Sequence, residues 1–507
     1  MTRRPAGAIA GAAIAETHIS WVVLLGDRAY KLLKPVDHGF LDHRSREARE
    51  RACHRETEVN RRFAPDVYLG VLDVVDEEGR VRDHLLEMRR MPAERRLSAL
   101  LATPEAPALV REAAQAVAAF HARAPTSPKI ARAGSPERLR ANWDQGLDQV
   151  DAVAADLLPA AERGRVRELA HRYLAGREPL LARRVEDGWV RDGHGDLLAD
   201  DVFCLADGPR FLDCLAFDDG LRHADVLADA AFLAMDLEAH GDAGLAELLL
   251  DSWAGALGEE HPASLADHYV AYRAHVRAKV TSLRHAQGDA AAAPLARRLH
   301  GLALAHLERS RVRLVLVGGA PGTGKSTVAA ALAERIGWTV LSSDALRAGV
   351  AGGTAGGAAG VAGASGGPDP YGEGRYAPER RAGVYASLLE DAAGLLALGE
   401  PVILDASWSD AAQREAARSV ARSAHADVVE LRCEAPETLT ARRIAERLTA
   451  GRGPSEATPE IARRLAADAD RWPEASPLPT DRALEATVDA ALAHVGAAGG
   501  ARVGSRP

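Results

Sequence analysis

The sequence has few cysteines and no long apolar run, and each shortage excludes a class of protein. Its four cysteines show no C-x-x-C spacing, which argues against a disulfide framework and a zinc site; they are Cys53, Cys204, Cys214 and Cys433. No stretch approaches the roughly 18 consecutive apolar residues that span a bilayer. The Ala- and Gly-rich start lacks Leu and Phe and is followed by strand-like sequence, which does not fit an export signal. We therefore expect a cytoplasmic protein that does not enter a membrane.

Basic residues are fewer than acidic ones, and lysine is much rarer than arginine. Lys and Arg total 63 against 72 Asp and Glu, a net charge of -9, so we expect no nucleic-acid partner. A guanidinium does not replace a compact ammonium at a tight phosphate site, so each remaining lysine is of interest. The lysines are Lys31, Lys34, Lys129, Lys279 and Lys325.

The strongest motif is Gly319-x-x-x-x-Gly324-Lys325-Ser326, which follows the apolar, β-branched segment 315–317. A strand, a glycine loop and a helix in this order are the context of a phosphate-binding P-loop, in which backbone N–H groups and the helix dipole face phosphate oxygens. We predict that this loop binds ATP, that Lys325 reaches the outer phosphates and that Ser326 is a ligand of Mg²⁺. The predicted nucleotide-binding residues are Gly319, Ala320, Pro321, Gly322, Thr323, Gly324, Lys325, Ser326 and Thr327.

Charged residues follow the next two predicted strands. Asp344 and Arg347 come after the strand 338–342, and Asp405 ends the strand 401–405. The carboxyl ends of parallel strands line the ligand crevice. We therefore predict that Asp344 acts on an acceptor hydroxyl, Arg347 binds an anionic group and Asp405 holds Mg²⁺. A helix N-cap is the alternative role of Asp344, and the two roles are compatible.

Further along, Arg443 and Arg447 lie one helical turn apart on one face. Over residues 311–495 the whole pattern resembles the small-molecule P-loop kinases related to gluconate, shikimate and polynucleotide kinases, and the AAA and zeta-toxin P-loop proteins. The resemblance implies an α/β P-loop NTPase domain with a parallel sheet. It also implies that both arginines neutralise phosphate charge from a lid, with pairing to surface glutamates as the alternative.

The amino-terminal half predicts a small α+β lobe followed by helices. Hairpins over 17–34 and 69–88 flank a helix over 45–63, and helical patterns run from residue 96 to about 188. His194-Gly195-Asp196 follows, with Asp201 five residues beyond Asp196. A short hairpin comes next, and its second strand is predicted to carry Asp213.

Over residues 15–300 this order resembles the protein-kinase-like fold, and in particular the aminoglycoside phosphotransferases. The resemblance implies a bilobal domain in which Asp196 accepts the proton of the substrate hydroxyl. Asp213 and Asp201 would hold Mg²⁺, although the family normally has Asn where Asp201 stands. Lys31 and Glu56 match the pair that orients ATP. Strand alternation lets only one of two nearby lysines face the cleft, so Lys34 stays open, as does Glu58.

We expect a bilobal kinase-like domain over 1–308, a P-loop domain over 309–496 and a disordered tail over 497–507. The Gly- and Ala-rich segment 349–368 is predicted to be a mobile flap. The predicted function is an ATP- and Mg²⁺-dependent phosphotransferase that acts on a hydroxyl of a small molecule. The first domain is either a second kinase or a ligand-binding module. The alternative is an ATP-dependent sensor whose first domain is catalytically weak.

Overall fold

The computed structural model describes residues 13–17, 19–37, 41–351, 378–450 and 458–496. The predicted tail, and the predicted flap beyond residue 351, lie outside these ranges. Within them, no helix combines the length and the apolar character that crossing a bilayer requires.

The chain begins with an antiparallel sheet and one helix. These elements are β1 (Ala13–Glu16), β2 (Ser20–Leu25), β3 (Arg28–Leu33), α1 (Arg46–Asn60), β4 (Tyr68–Val75) and β5 (Val81–Arg89). The strand order is β1-β2-β3-β5-β4, and α1 packs on β4 and β5. Ser45 caps α1 by accepting a hydrogen bond from the Ala48 N–H at 3.1 Å. This lobe agrees with the predicted α+β arrangement, with β1 as one strand more than was predicted.

A helical region and two small sheets follow. The helices come first: α2 (Leu97–Leu100), α3 (Ala106–Arg123), α4 (Pro128–Ala131), α5 (Pro136–Val153), α6 (Ala160–Gly176) and α7 (Glu178–Glu186). The next group is β6 (Val190–Asp192), β7 (Val202–Leu205), β8 (Gly208–Phe211), α8 (Asp219–Arg222), β9 (His223–Asp225), α9 (Val226–Ala239), α10 (Ala243–Leu257), α11 (Ala263–Ala286) and α12 (Ala292–Arg309). β7 pairs with β8, and β6 pairs with β9.

One prediction about this region is wrong. Asp213 was expected on the second strand of the hairpin, but β8 ends at Phe211. The backbone turns after it: the Leu212 N–H donates to the Asp201 carbonyl at 2.9 Å, and Asp213 has a left-handed φ of 59°. Asp is one of the few residues other than Gly that tolerates this conformation.

The carboxyl-terminal part is an α/β structure. Its elements are β10 (Arg313–Gly318), α13 (Lys325–Ile336), β11 (Thr339–Ser342), α14 (Ser343–Ala351), α15 (Pro378–Ala397), β12 (Val402–Asp405), α16 (Ala411–Ser423), β13 (Asp427–Glu434), α17 (Glu437–Ala450), α18 (Pro459–Ala467), β14 (Ser476–Pro479) and α19 (Leu484–Val495). All five strands are parallel, in the order β11-β12-β10-β13-β14. The predicted parallel sheet is therefore confirmed.

The central strand β10 is buried on both faces. Leu314 and Leu316 belong to one apolar core, whereas Val315 and Val317 belong to the other. Burial on both faces explains why this strand is a continuous apolar run in the sequence, without alternation. The buried strand ends at Gly318, and the glycine loop begins directly after it.

Two compact units divide the chain. The first comprises residues 1–164, 181–261 and 269–305, and the second comprises 165–180, 262–268 and 306–507. The predicted boundary at residue 308 lies close to the point where the chain enters the second unit for the last time. Two earlier segments also belong to the second unit: Arg172 makes an ion pair with Asp427 at 2.5 Å, and the Ser264 hydroxyl donates to the Gly399 carbonyl at 2.7 Å.

Candidate active sites

The glycine loop of the second unit joins β10 to the amino end of α13. Gly319, Gly322 and Gly324 all have positive φ. At Gly322, with φ of 85°, a Cβ atom would lie 2.7 Å from the Thr440 carbonyl oxygen, so only glycine fits. Inside the loop, the Ala320 carbonyl accepts hydrogen bonds from the N–H and the hydroxyl of Thr323, at 3.2 and 2.8 Å. The turn therefore leads directly into Lys325 and Ser326, the first two residues of α13.

Asp405 lies at the carboxyl end of β12, level with Val317 of β10 and Ser342 of β11. The Ser342 hydroxyl donates to its Oδ2 at 3.2 Å. Burial raises the pKa of Asp405, while the ammonium of Lys325 and the hydroxyl of Ser326 oppose the rise. Its Oδ1 is buried and has no hydrogen-bond partner among the described residues. A buried carboxylate oxygen in this condition, beside a hydroxyl, fits a Mg²⁺ ion held by Asp405 and Ser326.

Asp344 was predicted to act on the acceptor hydroxyl and Arg347 to bind an anionic group, and the two side chains form an ion pair. Both lie in the first turns of α14, and Arg347 Nη1 is 2.6 Å from Asp344 Oδ1. Both side chains are largely shielded from solvent. The charge of Asp344 raises the pKa of Asp405, so the pair lies near that carboxylate. An acceptor hydroxyl that gives its proton to Asp344 must therefore either displace Arg347 from this carboxylate or approach it while the ion pair is kept.

Arg443 contacts the glycine loop through backbone and hydroxyl oxygens. On α17, it donates to the Thr480 carbonyl at 2.7 Å, to the Thr480 hydroxyl at 3.1 Å and to the Gly322 carbonyl at 3.5 Å. The Thr480 hydroxyl in turn donates to the Thr323 carbonyl at 2.6 Å. Arg447 lies one turn further along α17 and is half-buried. The sequence analysis did not identify Thr480, although its position after the parallel strand β14 was a signal.

A second polar group that the sequence analysis missed follows β12. The Gly319 N–H donates to the Ser407 carbonyl at 3.2 Å, which joins this group to the glycine loop. The Ser407 hydroxyl lies 3.2 Å from the Tyr385 hydroxyl, and Arg381 donates to the Ser409 hydroxyl. Tyr385 and Arg381 lie on α15, far from Ser407 in sequence, so no local pattern could have joined them.

The first unit brings Lys31 and Glu56 together. Lys31 Nζ on β3 lies 2.7 Å from Glu56 Oε1 on α1, and 3.7 Å from Asp213 Oδ1. Burial alone would lower the pKa of Lys31, but the two carboxylates raise it above its usual value. The open choices are resolved geometrically: Lys34 contacts Glu16 at 2.5 Å, and Glu58 contacts Arg55 at 2.8 Å.

Three carboxylates, those of Asp196, Asp201 and Asp213, lie close enough to affect one another's ionisation. Burial, and then the charges of Asp213 and Asp196, raise the pKa of Asp201 well above its usual range. Burial also raises the pKa of Asp196, and Arg277 is the main group that opposes it. Neighbouring acids that resist ionisation together fit a cation, which would be held by Asp201 and Asp213. No three His, Cys, Asp or Glu side chains of the described ranges converge as a complete metal site, so phosphate or water oxygens would supply the remaining ligands.

A buried aspartate fixes the loop that carries Asp196. Asp229 accepts hydrogen bonds from the N–H groups of His194 and Gly195 at 2.7 and 2.8 Å. Its third partner is His121 Nε2, at 3.1 Å. Because the indole of Trp253 donates to His121 Nδ1 at 3.0 Å, a neutral His121 carries its proton on Nε2 and donates it to Asp229. Although burial raises the pKa of Asp229, the hydrogen bond from His121 is the largest of the interactions that lower it below its usual value.

His194 and Arg277 complete the surroundings of Asp196. His194 is buried, and its Nε2 lies 3.0 Å from the Leu212 carbonyl, so it holds the loop against the turn before Asp213. Arg277 Nη1 on α11 lies 3.7 Å from Asp196 Oδ1. The sequence analysis missed Arg277, because an arginine on a helical face has no distinguishing local signal.

Comparison with known proteins finds similarity to one family model and to solved structures of kinases. Residues 314–471 match the family model described as "AAA domain". A choline/ethanolamine kinase family protein from Mesorhizobium loti is 20% identical, covers 60% of this chain and 94% of its own, and has a TM-score of 0.38. The APS kinase CysC of Mycobacterium tuberculosis is 24% identical, covers 37% of this chain and 98% of its own, and has a TM-score of 0.28.

Relatives that are similar over most of the chain come from mycobacteria. "Uncharacterized protein Rv2004c" of Mycobacterium tuberculosis is 41% identical over 461 residues, which are 90% of this chain and 90% of that protein. "Uncharacterized protein Mb2027c" of Mycobacterium bovis matches to the same extent. A match at this identity covers both units described above, so the chain belongs to the family of the mycobacterial Rv2004c protein.

Proposed function

We propose that the second unit is a kinase that transfers the γ-phosphoryl group of ATP to a hydroxyl of a small molecule. The observation that carries this proposal is the position of Asp405. Its buried, unsatisfied Oδ1 lies at the strand end beside Ser326, the residue that follows the P-loop lysine. A carboxylate at the end of a neighbouring strand and a hydroxyl at the first turn of the P-loop helix are ligands that would hold Mg²⁺ beside the nucleotide phosphates.

Each group of the site has a defined role in this proposal. The N–H groups of residues 319–324 and the amino end of α13 bind the phosphates, and Lys325 contacts the outer ones. Bound Mg²⁺ neutralises charge on the phosphate oxygens. Asp344 accepts the proton of the acceptor hydroxyl, and Arg347 moves from Asp344 to an anionic group during turnover. Arg443 and Arg447 add positive charge next to the loop.

The first experiment measures ADP release with Mg²⁺ and a panel of sugars, nucleosides and other small alcohols. Lys325→Ala is expected to lower turnover by about 100- to 1000-fold, as is typical when one group that stabilises the transferred charge is removed. Lys279→Ala, which removes a lysine outside the proposed site, is the matched control. Full turnover by Lys325→Ala would exclude the second unit as the kinase.

A second phosphotransferase activity in the first unit is supported by its own observation. The Lys31–Glu56 contact at 2.7 Å and the acidic group of Asp196, Asp201 and Asp213 form an arrangement suited to Mg-ATP. There Asp196 would accept the proton of an acceptor hydroxyl. The alternative is a ligand-binding module within an ATP-dependent sensor. Asp201 favours this alternative slightly, because an extra negative charge near the transferring phosphate opposes the reaction.

The two functions of the first unit are separable in a Lys325→Ala background, where only that unit can turn over ATP. Any remaining acceptor-dependent ADP release that Asp196→Asn abolishes supports a second kinase. ATP binding to the first unit, without turnover on any acceptor, supports the sensor. We also propose a cytoplasmic location, in line with four cysteines that are buried and free.

A further inference from the structure

A cavity of about 680 Å³ lies in the first unit, apart from the Lys31 and Asp196 group. Its walls come from α1, from α4, α5 and the segment between them, and from residues 216–220 and His223. The volume is in the range of sites that hold a metabolite-sized molecule. Nothing in the proposed phosphotransfer reaction uses this cavity.

Three of the cations that line the cavity are Lys129, Arg132 and Arg138, and their side chains are exposed. None of these side chains makes a hydrogen bond or ion pair with a residue that the structure describes. They come from a stretch of ten residues, in a chain whose net charge is -9. Like charges gathered in one concave surface repel one another and create a positive potential that an anion relieves. Lys129 is also one of only five lysines in the chain.

The two carboxylates of the lining do not neutralise these cations. Asp219 is held by Arg55 and by Arg222, each at 2.6 Å. Asp218 caps α8 by accepting a hydrogen bond from the Gly220 N–H at 2.7 Å. Asp219 is therefore engaged by Arg55 of α1 and by Arg222, and Asp218 by its own helix, so neither acid makes an ion pair with Lys129, Arg132 or Arg138.

The cavity also has an apolar surface. Phe217 is 44% exposed and belongs to the lining, so part of its ring faces the cavity as an apolar surface. Phe217 lies four residues after Asp213, and Arg55 directly precedes Glu56. Two of the segments that line the cavity, α1 and residues 216–220, therefore adjoin residues of the proposed nucleotide site of the first unit.

We propose that this cavity binds a small phosphomonoester, whose phosphate contacts Lys129, Arg132 and Arg138 and whose organic part packs on Phe217. Two guanidinium groups and an ammonium match the several oxygens and the double negative charge of a phosphate. The limited volume suits a metabolite, not a nucleic-acid strand. The occupant is distinct from ATP, whose phosphates have their own lysine in each unit.

Isothermal titration calorimetry with phenyl phosphate tests the proposal on the full chain. The protein is first saturated with Mg²⁺ and a non-hydrolysable ATP analogue, so that the nucleotide sites are filled. The unmodified protein is expected to bind phenyl phosphate at one site. The triple variant K129Q/R132Q/R138Q is expected to bind at least about tenfold more weakly, because charge-assisted hydrogen bonds are lost. Arg183→Gln, at an exposed position of the same unit, is the matched control and should bind like the unmodified protein.

The proposal is overturned if the saturated protein does not bind phenyl phosphate, or if the triple variant binds it equally well. Single substitutions R132Q and R138Q repeat the test with less change to the surface, and equal melting temperatures verify their folding. Phe217→Ser is expected to weaken phenyl phosphate without changing the affinity for inorganic phosphate. Unchanged affinity for phenyl phosphate in this variant would refute the role given to Phe217.

Discussion

The two candidate nucleotide sites of this chain are built in opposite ways. In the second unit, nine consecutive residues, 319–327, would supply the proposed phosphate-binding surface through their backbone and one lysine. In the first unit, the corresponding groups are single side chains from distant segments: Lys31 from β3, Glu56 from α1 and Asp213 from the turn after β8. A contiguous site tolerates changes elsewhere in the chain, whereas a dispersed site depends on every element that carries one of its groups.

The sharpest test of the second unit replaces Asp405, its proposed Mg²⁺ ligand, which lies at the end of β12 outside the contiguous loop. Asp405→Asn is expected to lower kcat/KM by about 100-fold at fixed Mg²⁺ and to raise the Mg²⁺ concentration needed for half-maximal activity, because a neutral amide binds the cation poorly. Asp410→Asn is the matched control, since Asn also caps a helix and Asp410 caps α16. If both variants keep the Mg²⁺ dependence of the unmodified protein, Asp405 is not a metal ligand.

The dispersed site is tested by a pair of lysines close together in sequence. In the Lys325→Ala background, Lys31→Met is expected to weaken ATP binding by about tenfold and to lower the melting temperature, because Glu56 is left without its partner. Lys34→Met removes a contact with the largely exposed Glu16 and should change ATP binding little. Equal effects of the two substitutions would show that Lys31 has no special role.

A backbone test distinguishes steric fit from charge. Gly322→Ala places a Cβ atom 2.7 Å from the Thr440 carbonyl at a φ of 85°, so we expect a loss of about 1–3 kcal/mol in stability and weaker ATP binding. Gly383→Ala is the control: it lies in α15 with open space around it, and alanine there should stabilise by up to about 1 kcal/mol. Thermal unfolding of both variants, with and without ATP, gives the comparison. A Gly322→Ala protein as stable as the control would contradict the crowding at this position.

The last prediction concerns pH and leaves ATP binding aside. His268, in the second unit, is buried against the ring of Tyr173, and burial lowers its pKa to about 3. The unfolded chain then binds more protons than the folded one between about pH 6.5 and 3. Stability is therefore full above pH 6.5 and falls as the pH decreases through this window, by at most about 1.4 kcal/mol per pH unit.

His268→Phe, which retains a ring beside Tyr173, should remove this contribution to the pH dependence of the melting temperature. The exposed His494 provides the control, and His494→Gln should leave the pH dependence unchanged. A His268→Phe protein with the original dependence between pH 7 and 5 would show that other groups cause it.

The same contrast explains what the sequence could predict. The P-loop was predictable because β10, the glycines and α13 are adjacent in the chain and obey local rules. The Lys31–Glu56 pairing could be narrowed to four residues, since strand alternation alone does not say which carboxylate on α1 a lysine reaches. The left-handed turn at Asp213 was missed because the apolar sequence before it continues the strand pattern.

The partners that were missed share one property. Thr480, Arg277, Tyr385 and Asp229 act through contacts between segments that are distant in the sequence, and each residue type is common in an ordinary helix or loop. Only the folded arrangement shows that Thr480 touches the glycine loop and that Asp229 holds the N–H groups of His194 and Gly195. Such contacts are decided by packing, which sequence periodicity does not encode.

The Asp229 arrangement has a consequence for the catalysis proposed for the first unit. Two peptide N–H groups and an imidazole are already aligned on one interior carboxylate, so the segment that presents Asp196 needs no reorganisation when a ligand arrives. The entropy of ordering that segment is lost once, when the protein folds, and does not recur in each catalytic cycle.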